Sequence, residues 1–107
     1  MIGIVLGMLI AGSGADLRHD FADCLKQADT KAQNQKITPE AFVDFARTTC
    51  STAADPFEAS LTTANVKNGM SKKAAAADAA TQIKDYYTER LENYKIEIQP
   101  LPDEKPK

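Results

Sequence analysis

The chain has 107 residues, of which 26% are charged, and a formal net charge of -2. A chain of this length forms one domain with a modest core, and its slight acidity gives no electrostatic reason to expect nucleic acid or an anionic membrane surface as a partner. Alanine must supply much of the core, because the sequence has four Phe, three Tyr and no Trp.

The first segment, residues 2–12, is apolar and uncharged, and small residues follow it at 13–15. A signal peptidase recognises small residues in this position, so we predict a cleavable signal peptide over 1–15 and export to the periplasm or beyond the cell. At about 1.5 Å per residue, the apolar run is too short to cross a hydrocarbon core of about 30 Å. No Lys or Arg precedes it, which leaves open a retained membrane anchor or a start further upstream.

Helical spacing of apolar residues predicts an all-α domain over 16–99, a bundle of three to four helices. The first helix covers about 16–34, and the second starts after the N-cap Thr38, with Pro at its first position. The sequence Asp-Pro-Phe-Glu at 55–58 resembles a capping box, so it either starts a third helix or kinks a long second one. That segment ends near Gly69, which can take the left-handed position after a helix.

The last helix is predicted to be long, from Lys72 to about Glu97, with Ser71 as its N-cap. Tyr86 should lie at the edge of the core, because consecutive helix residues diverge by about 100°. The tail 100–107 is rich in Pro and charge and is expected to be disordered or extended. The predicted buried stripe of this helix repeats every three or four residues: Ala76, Ala80, Ile83, Tyr87, Leu91, Tyr94 and Ile98.

Cys24 and Cys50 are the two cysteines of the chain, and behind a signal peptide they predict one disulfide. In an antiparallel helix hairpin, facing residues have numbers with a constant sum, and pairing the cysteines places the turn at Ile37. A catalytic dithiol would have the spacing Cys-x-x-Cys, so we predict a staple that clasps the first two helices. The same register forms four further pairs, all apolar: Phe21 with Ala53, Ala28 with Ala46, Ala32 with Phe42, and Leu17 with Phe57.

Few residues suggest chemistry. His19 is the single histidine, and with Asp16, Asp20 and Asp23 it could hold a divalent metal on one helix face. Acids also favour the start of a helix for electrostatic reasons alone. The sequence has no hydrolase elbow, phosphate loop or zinc spacing. We therefore predict no enzyme activity, no catalytic residue, no metal and no cofactor.

Lys67, Lys72 and Lys73 surround the predicted turn between the last two helices, and we name this group the basic corner. The helix dipole disfavours cations at the two positions after Ser71, and such departures from local rules concentrate at functional sites. Amides at a helix start, with lysines nearby, can bind an anion. We predict the basic corner as an anion-binding or partner-binding site, with a simply solvated corner as the alternative.

Four stretches of the chain carry a resemblance: Asp23-Cys24-Leu25, Pro39 to Phe42 leading to Cys50, Val66 to Lys73, and Asp85-Tyr86. They resemble a group of small exported helical proteins of Gram-negative bacteria that have one disulfide and no known activity. This resemblance implies residence in the periplasm. In size, helical class and single disulfide, the chain is also similar to periplasmic acid-stress chaperones of the HdeA kind, with no motif matched residue by residue.

The leading hypothesis is a non-enzymatic binding or structural protein of the cell envelope, with an unidentified protein or envelope component as its partner. The alternative is an acid-stress chaperone, which would open at low pH, expose its apolar seam and suppress the aggregation of client proteins. A metal-binding or catalytic role is the third hypothesis. We expect neither nucleic acid as a partner nor a stable membrane span after signal cleavage.

Overall fold

The computed structural model describes residues 14–99, which form three α-helices. Helix α1 spans Gly14–Gln35, α2 spans Pro39–Lys67 and α3 spans Lys72–Glu97. α2 packs along both of its neighbours, whereas α1 and α3 meet at far fewer places. The all-α prediction is confirmed, with three helices and a long third one. The predicted signal peptide up to residue 13 and the predicted tail 100–107 lie outside the described residues.

α2 is a single helix of 29 residues that contains Pro56. The acidic and proline pattern at 55–58 therefore does not start another helix. Pro has no N–H, so the carbonyl of Thr52 loses the donor that a helix normally supplies four residues later. Ala54 and Phe57 flank Pro56 and are both buried, and burying them on one face requires the helix to continue past the proline.

The caps and turns of the helices largely follow the prediction. Ser71 Oγ accepts a hydrogen bond from the Ala74 amide at 3.1 Å, whereas Thr38 precedes α2 without a side-chain cap bond. Gly69, with φ 105°, takes the left-handed position after α2, as predicted. Lys36, with φ 57°, takes the corresponding position after α1, so α1 extends slightly beyond its predicted end.

The disulfide between Cys24 and Cys50 ties α1 to α2, with the two Cα atoms 5.8 Å apart. Every residue of the predicted apolar pairs lies in the core or packs against it. A disulfide of this kind indicates an oxidising compartment outside the cytoplasm. None of the described helices has a stretch long and apolar enough to cross a lipid bilayer.

The core is centred on Phe21 of α1, which is fully buried. Its ring centroid lies 5.8 Å from that of Phe57, 5.5 Å from Tyr86 and 5.4 Å from Tyr87. One aromatic cluster thus joins all three helices, and edge-on contacts of this kind add to the gain from burial alone. Tyr87 is buried as predicted, and the half-buried Tyr86 contributes more to the cluster than an edge residue would.

The predicted stripe of α3 is wrong in its first half. Ala75 and Ala79 are fully buried, whereas Ala76 and Ala80 are exposed. The alanine run at 74–77 offers no difference in side-chain size, so the phase of the stripe there is set by packing against α2. The second half of the stripe holds as far as Tyr94, and Ile98 is 40% exposed.

Tyr94 fixes the end of α3 to the turn between α1 and α2. Its ring stacks on Phe42, with centroids 4.4 Å apart, and its hydroxyl donates a hydrogen bond to the backbone carbonyl of Ile37. Burial raises the pKa of this hydroxyl, with a further contribution from the nearby Asp29. The predicted turn residue Ile37 is therefore held by a buried phenol as well as by the hairpin.

Candidate functional site

An open groove of about 770 Å³ lies between the start of α1, the second half of α2 and the middle of α3. In the register set by the disulfide, Leu17 faces Phe57. Beyond Phe57, the groove runs along α2 as far as Lys67.

The floor of the groove is apolar and its rim is cationic. Phe57, Leu61 and Ala64 of α2 line it together with Tyr86 of α3. Among the described residues of the lining, Arg18 of α1 and Lys67 of α2 are charged, and none is Asp or Glu. In a chain with a net charge of -2, this surface favours a ligand that combines an apolar part with a negative charge.

Local structure explains both ends of the groove. Lys67 occupies the last turn of α2, where the helix dipole favours a cation. Phe57 is 3% exposed because it packs into the aromatic cluster, so the groove has a rigid base there. Ser60 contributes a hydroxyl that donates to the Phe57 carbonyl at 3.0 Å.

Lys67 ends α2, Lys72 and Lys73 begin α3, and all three are exposed on the two sides of the turn. The turn is braced by Asn65, whose side-chain amide donates to the Ala75 carbonyl at 3.2 Å and to Asp78 at 3.0 Å. Only Lys67 of the basic corner also lines the groove. The sequence interpretation did not include the apolar floor next to Lys67.

A second cluster, absent from the sequence interpretation, joins α1 to α3 at the other end of α1. Asp29 is 3% exposed, and its Oδ2 lies 3.2 Å from Arg90 Nε. The two atoms form an ion pair without hydrogen-bond geometry. Both are buried, and neither has a hydrogen-bond partner among the described residues. Gln33 donates to Asp29 Oδ1 at 2.7 Å, and Arg90 donates to Glu97 at 3.1 Å. We name these residues the charged cluster.

The pKa of Glu97 is raised above its ordinary value, first by a hydrogen bond with Asp29 and then by burial, with Arg90 opposing both. A carboxyl with a higher pKa in the folded state binds its proton more tightly there. Protonation of Glu97 therefore favours the folded state, and ionisation at higher pH costs stability. Glu97 is thus not a group whose protonation would open the protein in acid.

Glu97→Gln should raise the free energy of unfolding slightly at neutral pH. Gln removes a negative charge beside Asp29 and can donate to the Asp29 carboxylate. Its carbonyl oxygen can still accept from Arg90, whereas the 3.2 Å bond from Gln33 is lost. The side chain of Glu97 is 41% exposed, so solvent screening limits the gain to a few tenths of a kcal/mol. Well below the pKa of Glu97 the variant and the wild type should be equally stable. Urea unfolding at both pH values measures this.

The matched control for Glu97→Gln is Glu92→Gln, since Glu92 is 61% exposed and pairs with Lys95 alone among the described residues. A loss of stability at neutral pH that exceeds the loss in this control would contradict the raised pKa of Glu97.

His19, Asp20 and Asp23 lie exposed on the first turns of α1, with Asp16 partly exposed beside them. Within residues 14–99, no three His, Cys, Asp or Glu side chains gather closely enough to hold a metal ion.

Comparison of the chain with protein-family models, with curated proteins and with solved structures gives no match in any of the three. The groove and its charges are therefore the features from which a function can be inferred.

Proposed function

We propose that the protein is an exported, non-enzymatic binding protein of the cell envelope, and that it binds its ligand in the groove that ends at Lys67. The single observation that supports this is an apolar floor bordered by two cations, with no acid in the described lining. The volume of about 770 Å³ lies within the range of about 300–1,000 Å³ that is usual for small-molecule sites.

The lining favours binding over catalysis. Ser60 and Thr63 are its hydroxyl-bearing residues other than Tyr86, and a hydroxyl needs a neighbouring base to become a nucleophile. Among the described residues, the lining has no His, Cys, Asp or Glu that could serve as that base. We therefore assign the groove a role in holding a ligand without changing it.

Export is supported by the apolar leader at 2–12 and by the disulfide, which suits the periplasm or the outside of the cell. Cleavage after Ala15 would remove Gly14 and Ala15 from one end of the groove. It would also leave the new amino group of Asp16 close to Arg18. Processing would thus open that end of the groove and add a positive charge to it.

Native mass spectrometry of the protein after incubation with an envelope extract tests the proposal. We expect a bound species with the wild type and a large loss of it with Thr63→Glu, because Thr63 is exposed within the lining and Glu would add an acid to the groove. Thr88→Glu, on an exposed part of α3 outside the lining, should bind as the wild type does. Equal occupancy of the two variants would rule out the groove.

The same experiment tests the basic corner with Lys72→Glu/Lys73→Glu. If these lysines extend the cationic end of the groove beyond Lys67, the double variant should bind the same species severalfold more weakly, as expected for exposed charge pairs. Unchanged binding would remove Lys72 and Lys73 from the site and leave Lys67 as its cation at this end.

A further inference from the structure

We propose that the ligand of the groove is a fatty acid, a single acyl chain that ends in a carboxylate. This inference rests on the proposed binding function and gives it a ligand class. Three features of the groove support it: its length, its charges and its small number of lining residues.

The length of the floor suits one acyl chain. From Phe57 to Lys67, α2 advances by about 15 Å at about 1.5 Å per residue. The hydrocarbon core of a bilayer is about 30 Å thick, so one leaflet of acyl chains has about the same length as this floor. Leu61 and Ala64 lie between these two residues in the lining and give the chain an apolar surface to lie on.

The charges select an anion at the end of that chain. Arg18 belongs to the end of the groove near Phe57, because it follows Leu17 in the hairpin register, and Lys67 stands at the other end. A guanidinium binds a carboxylate through two parallel hydrogen bonds, and an ammonium binds it as a point charge. Both cations therefore attract the carboxylate, and the described lining offers no acid to repel it.

The extent of the groove argues against a protein as its occupant. Twelve of the described residues line it, whereas a stable protein interface uses about 20–30 residues on each side. Among the described residues, Ile96 and Ile98 are exposed at the far end of α3, and Val66, next to Lys67, is the one exposed large apolar side chain near the floor. A small amphiphile uses the whole of such a groove.

Titration of the oxidised protein with cis-parinarate, a fluorescent fatty acid, tests the inference below the concentration at which the probe forms micelles. Displacement by saturated fatty acids of increasing length should show affinity rising severalfold for each added pair of carbons, because each buried methylene contributes. The rise should level off once the chain fills the groove. Continued growth of affinity with length would indicate partition into aggregates and would overturn the inference.

Two matched pairs of variants locate the probe and its head group. Thr63→Glu should weaken binding at least about tenfold, and Thr88→Glu should not. Lys67→Gln should weaken binding by about two- to fivefold, as for an exposed charge pair, and Lys84→Gln, which lies outside the lining, should have no effect. Equal binding in Thr63→Glu and Thr88→Glu would place the fatty acid elsewhere.

The methyl ester of the probe and a single-chain phospholipid separate the carboxylate from other head groups. The ester should bind several times more weakly than the acid, and the phospholipid more weakly than the fatty acid of equal chain length. If neither parinarate nor any fatty acid binds, while the envelope extract still yields a species that Thr63→Glu abolishes, then the fatty acid is wrong and the binding groove stands.

Discussion

The double substitution Cys24→Ala/Cys50→Ala is expected to lower the free energy of unfolding by about 3.5 kcal/mol. The disulfide closes a loop with a sequence separation of 26, and its loss restores that freedom to the unfolded chain. Small domains have a net free energy of unfolding of about 5–15 kcal/mol, so the substitution would remove a large share of the stability of the protein. The melting temperature should fall by roughly 15–25 °C, which circular dichroism at the helical minimum measures.

A matched control for the cysteine variant is Thr30→Ala/Ser51→Ala, because both residues are exposed on the same two helices. It should leave stability within about 0.5 kcal/mol of the wild type. Reduction of the wild type should reproduce the cysteine variant. A loss below about 1 kcal/mol in the double cysteine variant would mean that packing alone holds the hairpin and that the bond is dispensable.

Phe21→Ala is expected to lower the free energy of unfolding by about 3–5 kcal/mol, the usual cost of truncating a buried Phe. Phe21 is fully buried, and its ring contacts Phe57, Tyr86 and Tyr87 within centroid distances of 5.8 Å. The cavity would open where all three helices meet, so α1 should lose its contact with α3 first. Denaturant unfolding of the oxidised protein, followed by circular dichroism, gives the value.

The comparison for Phe21→Ala is Phe45→Ala, since Phe45 is only partly buried at the margin of the core. Its truncation should cost clearly less than that of Phe21. Equal losses for the two variants would contradict the assignment of the aromatic cluster as the centre of the core.

The sequence was sufficient to predict the hairpin. Cys24 and Cys50 fixed its register, and apolar residues at helical spacing, among them Phe21 and Phe42, agreed with that register independently. Gly69 and Ser71 marked the turn before α3, because a left-handed glycine and a serine N-cap have local physical causes. Predictions of this kind succeed where a single residue or a regular spacing determines the structure.

Other features depend on contacts between helices that no local pattern reveals. Pro56 has the local signature of a helix start, and the burial of Phe57 overrides it. The alanine run of α3 carries no information on which alanine is buried. Asp29 lies on the buried face next to Ala28, and only its partner Arg90, far along the chain, explains a charge in that position.

The candidate site also combines a residue that the sequence interpretation named with residues that it did not. Lys67 was predicted from its place at the turn, but the apolar floor next to it combines residues of α1, α2 and α3. No sequence pattern marks Arg18 as a site residue. Arg18 and Lys67 line one groove because of how α1 packs against α2. A surface assembled from three helices becomes visible only when their packing is known.

Hydrogen exchange measured by mass spectrometry, with and without an envelope extract, is the most direct test of the groove as the binding surface. A ligand held there should slow exchange in peptides that cover residues 57–67 and in the first turns of α1. The charged cluster near Asp29 and Arg90 should exchange as before. Slower exchange only around Asp29 and Arg90, or no slowing in any peptide, would contradict a binding role for the groove.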